Sequence, residues 1–178
     1  MAFEQIRMDR PLSRLELAIV VLLIALCFTW FLNRMNEMAA IAEATALDLT
    51  VRNLKAGVMS ATASGMLSGD DNALQRIADS NPVGIAIDPP AGYIGAIRGV
   101  NPAGIQPGQW YFDEDHRWLV YHVVNDDYLV SDGAGPVRVR IQLKLNYNDV
   151  NGDGSFEAGV DVPGSISVTM LDKTEWRF

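Results

Sequence analysis

Leu17 to Leu32 is an apolar run broken only by Thr29. With Leu15 and the flanking residues, it predicts a helix able to span a membrane over 15–34. No proline or glycine occurs from Leu12 to Ala56, so the helix is expected to continue outward over 35–56. There Met35, Met38, Ile41, Ala42, Thr45, Leu49, Leu54 and Val58 recur at spacings near three and four. Glu37, Glu43, Asp48, Arg52 and Lys55 fall on the other faces, an amphipathic pattern. Such a stripe needs something to bury it, most simply a sheet formed downstream.

Gly57 to Gly69 is rich in small residues and is expected to fray. Asp70 to Ala78 predicts a short helix capped by Asp70 or Asp71. Turn pairs such as Asn81-Pro82, Pro89-Pro90 and Pro107-Gly108 make 57–108 as a whole an irregular connection. After it the period changes to two. Gln109–Phe112 and Trp118–Val124 predict a hairpin around the polar turn Asp113–Arg117. Val139, Ile141, Leu143, Leu145 and Tyr147 alternate with polar residues on a long strand, and Ile166, Val168 and Met170 mark a last one. The expected fold is α+β: a long N-terminal helix, transmembrane then amphipathic, packed on an antiparallel sheet of about four strands over 109–178.

Charge orients the chain. Arg7, Arg10 and Arg14 precede the apolar run, whereas Arg34 is soon followed by Glu37. By the positive-inside rule, residues 1–14 are a cytoplasmic leader and 35–178 form one exported domain, in a single-pass topology. A cleaved signal peptide is the competing reading, but Asn33-Arg34-Met35-Asn36 offers no small-residue cleavage site. Residues 35–178 hold 10 of the 14 basic and 19 of the 22 acidic side chains, for a net charge of about −9. An acidic domain repels phosphate backbones, so nucleic acid is not an expected partner. The lone cysteine, Cys27, lies in the apolar run, and no intramolecular disulfide is possible.

Glu16 stands at the cytoplasmic start of the run, where a carboxylate is costly to bury. One reading leaves it at the interface within reach of water; the other pairs it with a positive group of a neighbouring subunit. Leu12-Ser13-Arg14-Leu15-Glu16-Leu17, followed by an apolar helix that runs into an amphipathic half, resembles the signal and N-terminal helix of type IV pilins and pseudopilins. Asn81-Pro82, Pro89-Pro90-Ala91-Gly92-Tyr93-Ile94-Gly95, Pro107-Gly108-Gln109-Trp110-Tyr111-Phe112-Asp113 and Leu119-Val120-Tyr121 are similar to minor members of that family, such as those of mannose-sensitive haemagglutinin pilus systems. The resemblance implies a structural role in assembling a pilus or related secretion filament at the bacterial inner membrane, with the domain in the periplasm. It implies pilin-like subunits, inner-membrane assembly proteins and membrane lipid as partners, and no small-molecule substrate. It makes Glu16 the subunit-assembly residue and places the mature start at Leu12. The family's peptidase reads a glycine just before that start, and this chain has Pro11 there. Residues 1–11 are therefore expected to be retained.

Between the last two strands, Asp149, Asn151, Asp153, Ser155, Glu157 and Asp161 place oxygen-bearing side chains in a short loop, with glycines at 152 and 154. The opening positions match a calcium loop, in which hard oxygen ligands alternate before a tight glycine turn. Position 12 is Val160 rather than glutamate, so the expected site is a calcium-binding hairpin loop closed by Asp161, not an EF-hand. The alternative is a plain solvated turn, since Asn-Gly and Asp-Gly are ordinary turn pairs. A signal-anchored periplasmic calcium-binding module, outside any filament, is thus the rival to the pilin-like reading. His116 and His122 lie in no metal-ligand spacing, there is no nucleophile elbow, and no catalytic residue is nominated.

Overall fold

The computed structural model describes residues 13–70, 72–130, 137–172 and 174–178. Two compact units divide within the first helix, Met1–Met38 and Ala39–Phe178. That helix, α1, runs Arg14–Leu67. In the first unit every described residue from 13 to 36 is exposed, and the apolar run is long enough to cross a membrane. Nothing in the unit itself buries these side chains.

The second unit is the expected α+β fold. The remaining elements are α2 (Ala73–Asp79), β1 (Tyr93–Ile97), β2 (Trp110–Asp113), β3 (Trp118–His122), β4 (Leu129–Val130), β5 (Arg138–Asn148), β6 (Val162–Met170) and β7 (Glu175–Trp176). Among the described residues the main sheet has five strands in the order β1-β2-β3-β5-β6, and β4 pairs with β7 in a separate ribbon. All pairings are antiparallel except β1 with β2, which is parallel. Strand β1 falls inside the stretch expected to be irregular: Gly92 (φ 78°) and Gly95 (φ 112°) punctuate it and hide a period-two signal.

The core is one face of this sheet. Val139 and Ile141, alternating as expected along β5, are completely buried, as is Leu119 on β3. They pack with Trp110 and Tyr121, a cross-strand pair whose rings lie 4.7 Å apart, and with Leu47, Val51 and Leu54 of α1. Further along, Val58 meets Leu74 and Ala78 of α2 over Leu143, Leu145 and Ile166. Each fully buried aliphatic side chain contributes about 1.5–3 kcal/mol.

Two expectations about α1 are corrected. The helix does not fray at Gly57 but continues to Leu67. The buried stripe is Ala40, Leu47, Val51, Leu54, Val58 and Thr62, whereas Met35, Met38, Ile41 and Leu49 are exposed. The true stripe includes a charge. The Glu43 carboxylate accepts hydrogen bonds from the Tyr121 hydroxyl (2.8 Å), the Val124 amide (2.6 Å), the Asn125 amide (2.9 Å) and Asn125 Nδ2 (2.6 Å). It thereby ties the helix to the end of β3. Burial, then this bond to Glu43, pushes the Tyr121 hydroxyl pKa far up. The short helix α2 starts at Ala73, and Asn72 at its N-cap makes no side-chain cap bond. Asp70 instead accepts from the Asn72 amide (2.9 Å). Asp71 lies outside the described residues.

Candidate functional site

Glu16 begins α1, and its first contact is local. The Ser13 amide donates to Glu16 Oε2 (2.7 Å) and the Glu16 amide donates to Ser13 Oγ (3.2 Å). This reciprocal pair is a capping box, which satisfies donors that a helix start otherwise leaves open. The signal was present in the sequence as Ser13-x-x-Glu16, directly before the apolar run. Neither the interfacial nor the partner-pairing reading of Glu16 included it. A carboxylate has about four lone-pair sites, so the box leaves Glu16 acceptor capacity. Pro11 and Leu12, the expected processing point, lie outside the described residues.

All six oxygen-bearing residues of the acidic loop lie in the connection between β5 and β6. Asp149 accepts from the Gly152 amide (2.6 Å) and the Gly154 amide (2.8 Å). Asn151 Oδ1 accepts from the Asp153 amide (3.1 Å), while its Nδ2 donates to Asp153 (3.1 Å) and Glu157 (3.4 Å). Asp153 accepts from the Ser155 amide (2.7 Å). Asp161 is buried at the base of the loop and accepts from the Val150 amide (2.9 Å) and the Glu157 amide (2.8 Å). Gly152 and Gly154 have φ of 78° and 80°, left-handed values that permit this wrapping. The carboxylates are thus engaged by the loop's own amides. Among the described residues, no three His, Cys, Asp or Glu side chains converge as a metal group.

The opposite face of the sheet carries polar chemistry absent from the sequence reading. The His116 ring stacks on Trp118 at 4.5 Å, and the Arg140 guanidinium lies 5.0 Å from the Trp118 ring. Asp113 holds His116 Nδ1 at 2.9 Å, and Asp172 holds Arg140 through Nε and Nη2 (2.6 Å at the shortest). Burial alone would raise the Asp172 carboxyl, but the hydrogen bonds from Arg140 outweigh it and hold it below its ordinary value. The arrangement is a braced surface stack.

His122, on β3, is 2% exposed, and its Nε2 has no hydrogen-bond partner among the described residues. Burial, and secondarily the Arg138 charge, lowers its pKa. The unfolded chain therefore takes up a proton that the folded chain resists as pH falls below about 6.5, the ordinary histidine value. Stability contributed by neutral His122 is complete above that value and is lost as pH falls toward the folded one. His122→Leu removes an unpaired buried nitrogen and is expected to be neutral or stabilising at pH 7. It is also expected to flatten the loss of stability between pH 7 and pH 5. Thermal melts of the full chain in detergent at both pH values check this; an unchanged pH slope would refute it.

No family model matches the chain, and no curated protein or solved structure matches it.

Proposed function

We propose that the chain is a membrane-anchored, pilin-like or pseudopilin-like structural component that assists assembly of a type IV pilus or related secretion filament. In this reading its N-terminus is cytoplasmic, its folded unit is periplasmic, and its work is packing rather than catalysis. The observation that carries the reading is the exposed apolar surface of α1. The run 17–32 is exposed throughout, and Met35, Met38, Ile41 and Leu49 extend exposed apolar side chains along the same helix. The second unit buries a different stripe, so this surface is surplus to its fold. Lipid and the corresponding helices of other pilin-like subunits are the partners that would cover it.

Glu16 provides the test. Glutamine closes a capping box as glutamate does, but carries no charge. If Glu16 pairs with a neighbouring subunit through its charge, Glu16→Gln leaves insertion and helix content unchanged and cuts crosslinking to pilin-like subunits several-fold. Glu16→Ala does the same and also weakens the helix start by about 1 kcal/mol. Crosslinking of Glu16→Gln at wild-type yield would refute the assembly role and leave the cap as the residue's function.

The acidic loop has a separate test. The spacing of its oxygens calls for calcium at millimolar concentration to raise the melting temperature of the full chain in detergent, and for magnesium to raise it less. Asp153→Ala should abolish the effect. Titration calorimetry without a binding heat would leave the self-bonded turn as the whole account of the loop.

A further inference from the structure

Among the described residues, the last strand of the main sheet, β6, has a neighbour on one side only. Its pairing with β5 shows which of its residues bond inward. The Leu171 amide donates to the Arg140 carbonyl (2.9 Å), and the register pairs Ile141 with Met170, Leu143 with Val168 and Leu145 with Ile166. In an antiparallel ladder bonded pairs alternate, so Ile166, Val168 and Met170 turn their backbone N–H and C=O groups away from β5. Natural sheets guard such an edge with charge, proline or a bulge. Here Pro163 and a register shift opposite Leu145–Tyr147 guard the start of the strand, but no charged residue occurs from Val162 to Met170, and the register is regular from Ile166 to Met170.

Beside this edge lies a groove of about 560 Å³ between α1 and β6. Met59, Thr62 and Met66 form its helix wall, Ile166 and Val168 its strand wall, and Lys55 its one charged lining residue. Met59 is 77% exposed and Met66 55%, large flexible side chains that adapt to what they cover. Thr62 is buried, yet among the described residues its hydroxyl has no hydrogen-bond partner. Thr45, Thr50 and Ser64 on the same helix each bond back to the carbonyl four residues earlier.

We propose that β6 and this groove accept an extended segment of a partner protein as an added strand, with apolar residues at alternate positions and a carboxylate at one end. The outward groups of Ile166, Val168 and Met170 supply the ladder, the groove takes the alternate side chains, and Lys55 takes the carboxylate. Lys55 forms no ion pair among the described residues, in a chain of net charge −8. A second copy fits less well: its own β6 has no acidic residue to offer Lys55. The proposal does not rest on the filament reading, because the edge and groove belong to the folded unit alone.

The test uses the full chain in detergent micelles and a fluorescein-labelled peptide of alternating valine and threonine flanked by glutamates. Anisotropy is expected to show saturable binding. A central proline, which cannot complete the ladder, should weaken it about tenfold. Lys55→Glu, at an exposed position, should weaken it roughly threefold or more and shift preference to a lysine-flanked peptide. Val168→Pro removes an outward donor at an edge position that tolerates proline, and should abolish binding while the melt remains cooperative. Equal binding of the proline-interrupted peptide, or an unchanged preference in Lys55→Glu, overturns the proposal. So does a sedimenting dimer that Val168→Pro dissociates, which would assign the edge to a second copy.

Discussion

Gly57→Ala is expected to destabilise the folded unit by about 3 kcal/mol, although alanine is the better helix former by about 1 kcal/mol. A Cβ at position 57 would lie 2.1 Å from the Ile85 carbonyl oxygen and 3.0 Å from the Ala86 Cα. Both are backbone atoms, and the segment they belong to has little freedom to retreat. Asn53, one turn earlier on α1, donates from Nδ2 to the Asp88 carbonyl (3.0 Å) and accepts from the Ile87 amide (3.1 Å). Moving the segment away from a new methyl group would break those bonds. Gly65→Ala is the control. Its Cβ would meet the Leu74 Cδ2 atom at 2.8 Å, the end of a flexible side chain that can yield. That variant should be close to neutral. Melts of both variants of the full chain in detergent decide the matter; a Gly57→Ala protein as stable as the Gly65→Ala protein would show that residues 85–86 do not press on the helix.

The second large effect is expected at Glu43. Glu43→Ala strips the acceptor from four donors at once: the Tyr121 hydroxyl, the Val124 amide, and both the amide and Nδ2 of Asn125. Hydrogen bonds to a charged group are worth more than neutral ones, and part-buried donors left without an acceptor add their desolvation cost. The expected loss is about 3 kcal/mol, or a fall of roughly 10 °C in melting temperature for a domain of this size. Glu43→Gln should recover less than half of it. One oxygen of the carboxylate becomes an NH₂ group facing donors that need an acceptor. This contrasts with Glu16, where glutamine suffices for the cap. A Glu43→Ala melt within a degree of wild type would show that these bonds merely exchange with water.

Helix α1 illustrates what can be read from one dimension. Its apolar run and the lack of proline or glycine up to Ala56 were sufficient for a membrane-length helix leading into a second helical half, because hydropathy and backbone permissiveness are local properties. The alternation of β5 was equally legible, since period two directly encodes a strand with one buried face. The capping box at Ser13 and Glu16 was also there to be read, as a spacing of three ahead of an apolar run.

The buried face of α1 was not legible. Two apolar stripes compete on the helix, one through Ile41 and Leu49 and one through Leu47 and Val51, and both lead into Leu54 and Val58, which are buried as expected. Spacing alone cannot rank them. The sheet ranks them by shape and by the four donors that receive Glu43, so a charge expected in solvent lies on the packed side. Gly57 reads as a helix weakness until the crossing of residues 85–86 shows that only a residue without a Cβ fits there. Strand β1 depends on its partner in the same way: its glycines break the period-two pattern, and pairing with β2 is what makes the segment a strand. The open edge of β6 and the groove beside it exist only in three dimensions. Hydrogen-bond vacancy is a property of the neighbour a strand lacks, and no residue of the strand records it.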